Sequence, residues 1–265
     1  MAETVLGVPA LMPVDDFVKK FELISFATAD ELARSVAAAW LDEVEKARQS
    51  HKPYSVALSG GRITQKFYAA IVGQAETRRT GDGDTPSFPN NVHFFWADER
   101  CVPPDDPESN FKLADELLFR PLKIAASQVH RIRGEAPPEA AVKAVEAELR
   151  QFALPDREGS PVLDLILLGM GEDGHVASLF PGAPAEVVNH PGPFLFVKDS
   201  PKPPPRRVSL SYATIAAARE VWVLISGAGK EQALGESMDF SGKTPLARVI
   251  QIRQITRIFS DIRPK

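Results

Sequence analysis

The stretch LDLILLGMGEDGH, residues 163–175, decides the fold. Its first half, Leu163–Leu168, is a short and almost continuous apolar run, which is typical of a strand buried on both faces of a parallel sheet. Its second half contains three glycines, two acidic residues and His175. Glycines allow a tight loop, and ligands of open α/β sheets bind at loops that follow the carboxyl ends of the strands. The stretch therefore predicts an α/β protein with a site at the end of this strand.

On either side of this stretch, short β-rich runs alternate with amphipathic helical patterns. The alternation predicts right-handed crossovers and a mostly parallel sheet with helices on both faces, built from residues 1–265 as a single α/β domain. The predicted strands are 54–58, 92–96, 163–168, 207–211, 221–225 and 255–260. The predicted helices are 30–49, a segment running from the glycines at 60–61 through 72, 108–119, 139–152, a segment after 230, and 245–252. The Gly- and Pro-rich segments 77–91 and 183–206 are predicted to be irregular.

Composition restricts the class of protein. Hydrophobic residues make up 44% of the chain and charged residues 25%, as in ordinary globular proteins. The single cysteine, Cys101, excludes an intrachain disulfide, and no apolar run approaches the roughly 20 residues of a membrane span. The net charge of −4 argues against nucleic acid as a partner. Because Pro9 and Pro13 interrupt the N-terminal apolar stretch, we expect no signal peptide, no membrane partner and a cytoplasmic location.

Unusual chemistry is concentrated at four strand ends. Since the carboxyl ends of parallel strands meet at one edge of a sheet, these segments are expected to form a single active site. They are Ser59-Gly60-Gly61, Asp98-Glu99-Arg100, the loop from Gly169 to His175, and Gly229-Lys230.

Three of these segments have an anion-binding interpretation and a plainer one. Ser59-Gly60-Gly61 precedes a helix, so it is either a phosphate cradle or an ordinary strand-to-helix turn. Arg100 can hold a phosphate with its fork of donors, or it belongs to a solvated charge cluster. Lys230 can complete a phosphate site as a point charge, or it is a surface lysine at a helix start.

His175 is the candidate general base, because imidazole titrates near neutral pH. Asp173 is expected to orient it or to act on the substrate, and the alternative is a tight loop with an incidental histidine. Asp98, Asp173 and His175 do not show metal-ligand spacing, so we expect no metal.

Motifs spread from about residue 54 to residue 261 resemble those of the 6-phosphogluconolactonases, a family that shares its fold with the glucosamine-6-phosphate deaminases/isomerases. The resemblance implies a Rossmann-like sheet, as in the glucosamine-6-phosphate deaminase/ribose-5-phosphate isomerase-like fold. The motifs are LSGG at 58–61, WADERCV at 96–102, DPESN at 106–110, LLGMGEDGHVASLFPG at 167–182, RVSLSYATIAAA at 207–218 and SGAGK at 226–230.

The resemblance implies hydrolysis of 6-phospho-D-glucono-1,5-lactone, the second step of the oxidative pentose phosphate pathway, without a cofactor. It implies that His175 activates the attacking water, and that Asp173 and Asn110 belong to the pocket. Arg207 also matches a family position and is expected to approach the substrate. The implied phosphate site consists of Ser59, Gly60, Gly61, Arg100 and Lys230. The backbone of Gly169, Met170 and Gly171 is the expected source of donors for the developing oxyanion.

Arg62 departs from the family pattern, which often has a hydroxyl residue after the two glycines. It either adds a phosphate contact or points to solvent. Two other functions stay open, an amino-sugar phosphate deaminase or isomerase and a non-catalytic sugar-phosphate-binding module. The SLFPG sequence after His175 favours the lactonase, and the absence of an appended DNA-binding segment argues against a sugar-responsive regulator. We expect a small-molecule sugar-phosphate partner and a monomer or small homo-oligomer.

Overall fold

A computed structural model describes residues 20–78, 88–156 and 159–265. Most of the predicted 77–91 loop and the N-terminal apolar stretch lie outside these residues. The strands are β1 (Phe21–Ser25), β2 (Tyr54–Leu58), β3 (Val92–Trp96), β4 (Asp98–Arg100), β5 (Leu165–Gly169), β6 (Phe194–Val197), β7 (Arg207–Leu210), β8 (Glu220–Ile225) and β9 (Thr256–Ser260). The helices are α1 (Ala29–Ser50), α2 (Arg62–Arg78), α3 (Asn110–Ala114), α4 (Arg120–Leu122), α5 (Pro138–Phe152), α6 (Ala185–Val188), α7 (Tyr212–Ala217), α8 (Glu231–Met238) and α9 (Pro245–Ile252). A π-helical turn at 115–119 joins α3 to α4.

The main sheet is parallel throughout, with the strand order β1-β9-β8-β5-β2-β3. Helices flank it, and α1 packs against α2. β5 is buried over Leu165–Leu168, as the apolar run at 163–168 predicts. The expected α/β fold with a mostly parallel sheet is therefore confirmed.

The strand order reverses between β2 and β5. After β2 the chain continues to β3 on one side, whereas β5 lies on the other side of β2. The hydrogen-bonded ladder between β2 and β5 ends at Ala57 and Ile166, before either strand ends. A crevice at such a reversal is the usual ligand site of an open α/β sheet, and two of the predicted loops start there.

A second sheet, with the antiparallel order β4-β7-β6, was not predicted. The expectation that 183–206 is irregular is wrong for α6 and β6, whereas the rest of the segment is irregular. The predicted strand at 207–211 is present as β7, but it pairs with β4 and β6. Ala97 joins the two sheets, since its N–H donates to Leu58 and its carbonyl accepts from Leu210, both at 2.7 Å. This junction places β4 and β7 beside the crevice.

The core lies between the main sheet and its helices. Its largest side chains, Trp40, Trp96 and Trp222, are each at most 2% exposed. Among the described residues, no helix has the length and hydrophobicity needed to cross a membrane.

Candidate active site

One pocket occupies the crevice beyond the carboxyl ends of β2 and β5. It brings together every predicted site residue except Asp173, which lies behind His175. Its lining includes Ser59, Gly60, Gly61, Arg62, Arg100, Asn110, Gly169, Met170, Gly171, His175, Arg207 and Lys230. Asp98 and Ser226 also line it and were not among the predicted site residues.

The first loop is shaped by a close contact between Gly60 and Asn110. A Cβ at Gly60 would lie 2.0 Å from Asn110 Oδ1, so any side chain there would displace the asparagine. Asn110 is itself fixed, because its Nδ2 donates to the carbonyl of Asp98 at 2.8 Å and its N–H donates to Glu99 Oε1 at 2.8 Å. The loop leads directly into α2, whose first turn contains no acidic residue. The positive end of the α2 dipole is therefore directed at the pocket without a neutralising carboxylate.

Ser59 has a local role in the structure. Its hydroxyl donates to the carbonyl of Leu167 at 2.7 Å and so links β2 to β5 just beyond their ladder. This bond uses the hydroxyl proton, which leaves the oxygen only as an acceptor. The Ser59 side chain consequently cannot donate to a phosphate without breaking this link.

Arg62 and Lys230 place two cations at the same end of the pocket. Burial lowers the pKa of Lys230, and the charge of Arg62 lowers it further. Within residues 20–78, 88–156 and 159–265, neither side chain forms an ion pair. The carboxylates of Glu172 and Asp261 act on the pKa of Lys230 in the opposite direction. Two cations that line one pocket favour an anionic ligand.

Arg100, on β4, is a third cationic residue in the pocket lining. Its Nη1 donates to the carbonyl and approaches the carboxylate of Glu108. Its Nε is buried and has no hydrogen-bond partner among the described residues. A buried donor without a partner is costly, so this atom is positioned to receive an acceptor such as a phosphate oxygen.

His175, which lines the pocket, forms a hydrogen-bonded pair with Asp173. His175 Nδ1 lies 2.5 Å from Asp173 Oδ1, and the imidazole stacks on Phe180 with 4.6 Å between ring centroids. Burial lowers the pKa of His175, while the Asp173 carboxylate opposes that shift. Burial raises the pKa of Asp173, but the hydrogen bonds and the charge of His175, together with the charge of Lys202, outweigh this effect and keep the pKa below its usual value. A carboxylate at Nδ1 fixes the proton on that atom, so Nε2 carries the lone pair of the neutral ring.

Gly171 is the glycine that His175 requires. A Cβ there would lie 2.0 Å from His175 Nδ1 and 2.7 Å from Asp173 Oδ1. The N–H of Gly171 donates to the carbonyl of His175 at 2.9 Å, which closes the loop. The expectation that Gly171 donates to an oxyanion is therefore wrong in this conformation, whereas Gly169 and Met170 line the pocket.

Arg207 lines the pocket, but its head group is held by the protein. Its Nε donates to Pro204 at 2.9 Å, and its Nη2 donates to Lys202 at 3.0 Å and to Pro203 at 3.1 Å, all to backbone carbonyls. The guanidinium also lies 5.7 Å from the Phe180 ring centroid. These contacts favour a role in holding the loop before β7, in contrast to the expected approach to substrate.

Asp98 is the buried carboxylate that sequence reasoning did not select. Its Oδ2 accepts from Ser178 Oγ at 2.6 Å and lies 3.7 Å from Arg207 Nη1. Its position in the WADER motif was a signal, but three adjacent charges do not reveal that Asp98 and Glu99 are both buried.

The fold and the pocket together define an α/β enzyme that acts on a small anionic molecule. Residues 27–258 match the family described as glucosamine-6-phosphate isomerases/6-phosphogluconolactonase, and the chain belongs to this family. The chain is 38% identical over 202 residues to the 6-phosphogluconolactonase of Mycobacterium tuberculosis, which covers 69% of this chain and 81% of that protein.

Solved structures agree with this assignment. The 6-phosphogluconolactonase of Thermotoga maritima is 29% identical, with a TM-score of 0.71 over 91% of this chain and 98% of that chain. A monomeric glucosamine-6-phosphate deaminase has a TM-score of 0.69 at 19% identity, over 90% of this chain and 97% of that chain. The second likeness concerns the fold alone.

Proposed function

We propose that this chain is a 6-phosphogluconolactonase, which hydrolyses 6-phospho-D-glucono-1,5-lactone to 6-phospho-D-gluconate. One observation carries this function: the histidine of a histidine–aspartate pair lines the same pocket as three cationic side chains, Arg62, Arg100 and Lys230. The first arrangement suits a general base, and the second suits a phosphate several atoms away from the reacting carbon. The relatives named above support the choice of this lactone among phosphorylated substrates.

The chemical step begins at His175 Nε2. With Nδ1–H donated to Asp173, the Nε2 lone pair takes a proton from water as the water oxygen attacks the C1 carbonyl. The tetrahedral intermediate then collapses, the bond from C1 to the ring oxygen breaks, and the imidazolium returns its proton to that oxygen. Asp173 stabilises the imidazolium while it exists. Because a δ-lactone is already a reactive ester, we expect this step to need neither a metal nor a cofactor.

The cationic side chains of the pocket bind the phosphate and so keep the substrate in place. Lys230, the unpartnered Nε of Arg100 and the N-terminus of α2 would surround the 6-phosphate. Arg62 adds a further charge at the position where the family often has a hydroxyl. Binding energy from the phosphate keeps C1 next to His175, which removes the entropy cost of bringing them together.

The decisive experiment measures lactone ring opening, corrected for spontaneous hydrolysis, with the wild type and His175→Asn. We expect the wild type to accelerate the reaction and the variant to lose at least about 10²-fold in kcat. Glucosamine 6-phosphate is the comparison substrate. Release of ammonia from it would indicate a deaminase, and binding of phosphosugar without acceleration of either reaction would indicate a binding module.

A second experiment tests Arg62. If the guanidinium contacts the phosphate, Arg62→Ala raises KM for the lactone and leaves kcat nearly constant. An unchanged KM would assign Arg62 to solvent.

A further inference from the structure

Lys202 reaches the catalytic pair from the loop between β6 and β7. Its Nζ lies 3.8 Å from Asp173 Oδ1, the same oxygen that accepts from His175 Nδ1. Lys202 and His175 therefore approach the same carboxylate oxygen of Asp173. Lys202 does not line the pocket itself.

The backbone at Lys202 is held from two sides. Its N–H donates to Ser200 Oγ at 3.2 Å, and its carbonyl accepts from Ser200 Oγ at 2.9 Å and from Arg207 Nη2 at 3.0 Å. Ser200 and Arg207 are buried, at 8% and 4% exposure. An exposed lysine on a mobile loop gains little from one carboxylate, because ordering the side chain costs entropy. Here Ser200 and Arg207 already fix the backbone at Lys202, so pairing with Asp173 orders only the lysine side chain.

The charges that face the catalytic pair are few. Those that act on His175 belong to Asp173 and Asp98, which favour the imidazolium, and to Lys202, which disfavours it. Asp173 is held in its charged form by His175 and Lys202. The side chain of Asp173 is 35% exposed, so without the ammonium this carboxylate would be oriented by His175 and water alone.

We propose that Lys202 is a positioning residue, whose ammonium holds the Asp173 carboxylate where it receives Nδ1–H of His175, with Arg207 anchoring the loop that carries it. This inference rests on the proposed lactonase function. The inference also accounts for the carbonyl contacts of Arg207. The guanidinium fixes the loop, and the loop places Lys202 near Asp173. The same ammonium keeps protons off His175 Nε2, which a general base requires.

The test compares Lys202→Met, which removes the charge, with Lys202→Arg, which retains it. Lys198→Met is the matched control, because Lys198 is an exposed lysine that lies only four residues away in the sequence and forms no ion pair among the described residues. The first readout is the pH profile of kcat/KM for the lactone. The second is the pKa of His175 from NMR of its imidazole, assigned with His175→Asn, which does not depend on activity.

For Lys202→Met we expect kcat for the lactone to fall, because the Asp173 carboxylate is then held by His175 and water alone. Since the His175–Asp173 bond remains, both the acid limb and the His175 titration should move upward by about half a pH unit, because a nearby positive charge has been removed. The shift should shrink in high salt, as it does for a partly exposed charge. Lys202→Arg and Lys198→Met should keep the wild-type profile. An unchanged profile and an unchanged titration in Lys202→Met would overturn the inference, as would an equal shift in Lys198→Met. If the wild type fails to hydrolyse the lactone, the proposed function fails, while the NMR titration still tests Lys202.

Discussion

Gly171→Ala separates the geometry of the catalytic pair from the stability of the fold. The added Cβ would lie 2.0 Å from His175 Nδ1 and 2.7 Å from Asp173 Oδ1. Since real Cβ contacts do not come under 3.0 Å, the imidazole has to move by at least about 1 Å. Alanine is compatible with the backbone here, because Gly171 does not have a positive φ. The substitution should therefore displace the catalytic pair without straining the backbone.

A displacement of this size at a general base costs about 10²-fold in rate, or about 2.7 kcal/mol in the activation free energy. We expect kcat for the lactone to fall by that factor in Gly171→Ala, with a thermal unfolding midpoint close to that of the wild type. The assay couples the product to a dehydrogenase and subtracts spontaneous hydrolysis.

Gly73→Ala is the control substitution, because Gly73 lies within α2 and is not among the residues that line the pocket. A Cβ at Gly73 would meet no atom within 4 Å. This variant should keep kcat within about twofold. A folded Gly171→Ala enzyme with kcat within about twofold of the wild type would refute the assignment of His175 as the positioned base.

Three further outcomes follow from the same structure. Asp173→Asn removes the charge that raises the pKa of His175, so the acid limb of the kcat/KM profile should move to lower pH. The value of kcat should fall about 10²-fold, because the amide no longer fixes the proton on Nδ1. An unchanged acid limb would contradict this prediction. Lys230→Met should raise KM for the lactone about tenfold with a smaller change in kcat. The ratio of the variant KM to the wild-type KM should decrease in high salt, as steady-state kinetics at two ionic strengths would measure. His93 is buried against His130 with 3.0 Å between ring nitrogens, and burial lowers its pKa to about 4, so the unfolded chain binds the proton first as the pH falls below 6.5. The free energy of unfolding should thus drop by about 2 kcal/mol between pH 6.5 and pH 4, and less in His93→Gln, as measured by urea denaturation.

The main sheet was predictable because its strands are short apolar runs that end in glycine or polar loops. β2, β3 and β5 follow from that pattern with at most a two-residue shift in their boundaries. β1 was not predicted, since it is an edge strand that pairs with β9 alone among the described residues and is partly exposed along its length. β6 is a four-residue strand between prolines, and its pairing with β7 is set by tertiary contacts. Because the prolines around β6 indicate a loop, the sequence pattern did not predict the second sheet.

Much of the candidate site was predictable because the rule about strand ends selects positions, and the family resemblance added Asn110 and Arg207. The rule does not assign the donors and acceptors at those positions. Ser59 and Arg207 both lie in the pocket as expected, yet each donates to a backbone carbonyl, and carbonyl acceptors leave no trace in the sequence.

The contact of Lys202 with Asp173, beside His175, could not be predicted from the sequence. Lys202 belongs to a proline-rich segment whose composition indicates only a stiff loop. Its effect depends on Arg207, which reaches back to the carbonyl of Lys202 from the start of β7. A charge 3.8 Å from a partly exposed carboxylate acts reliably only if both groups are held in place. The buried guanidinium of Arg207 meets that condition, so loop anchoring and base positioning are two consequences of one arrangement.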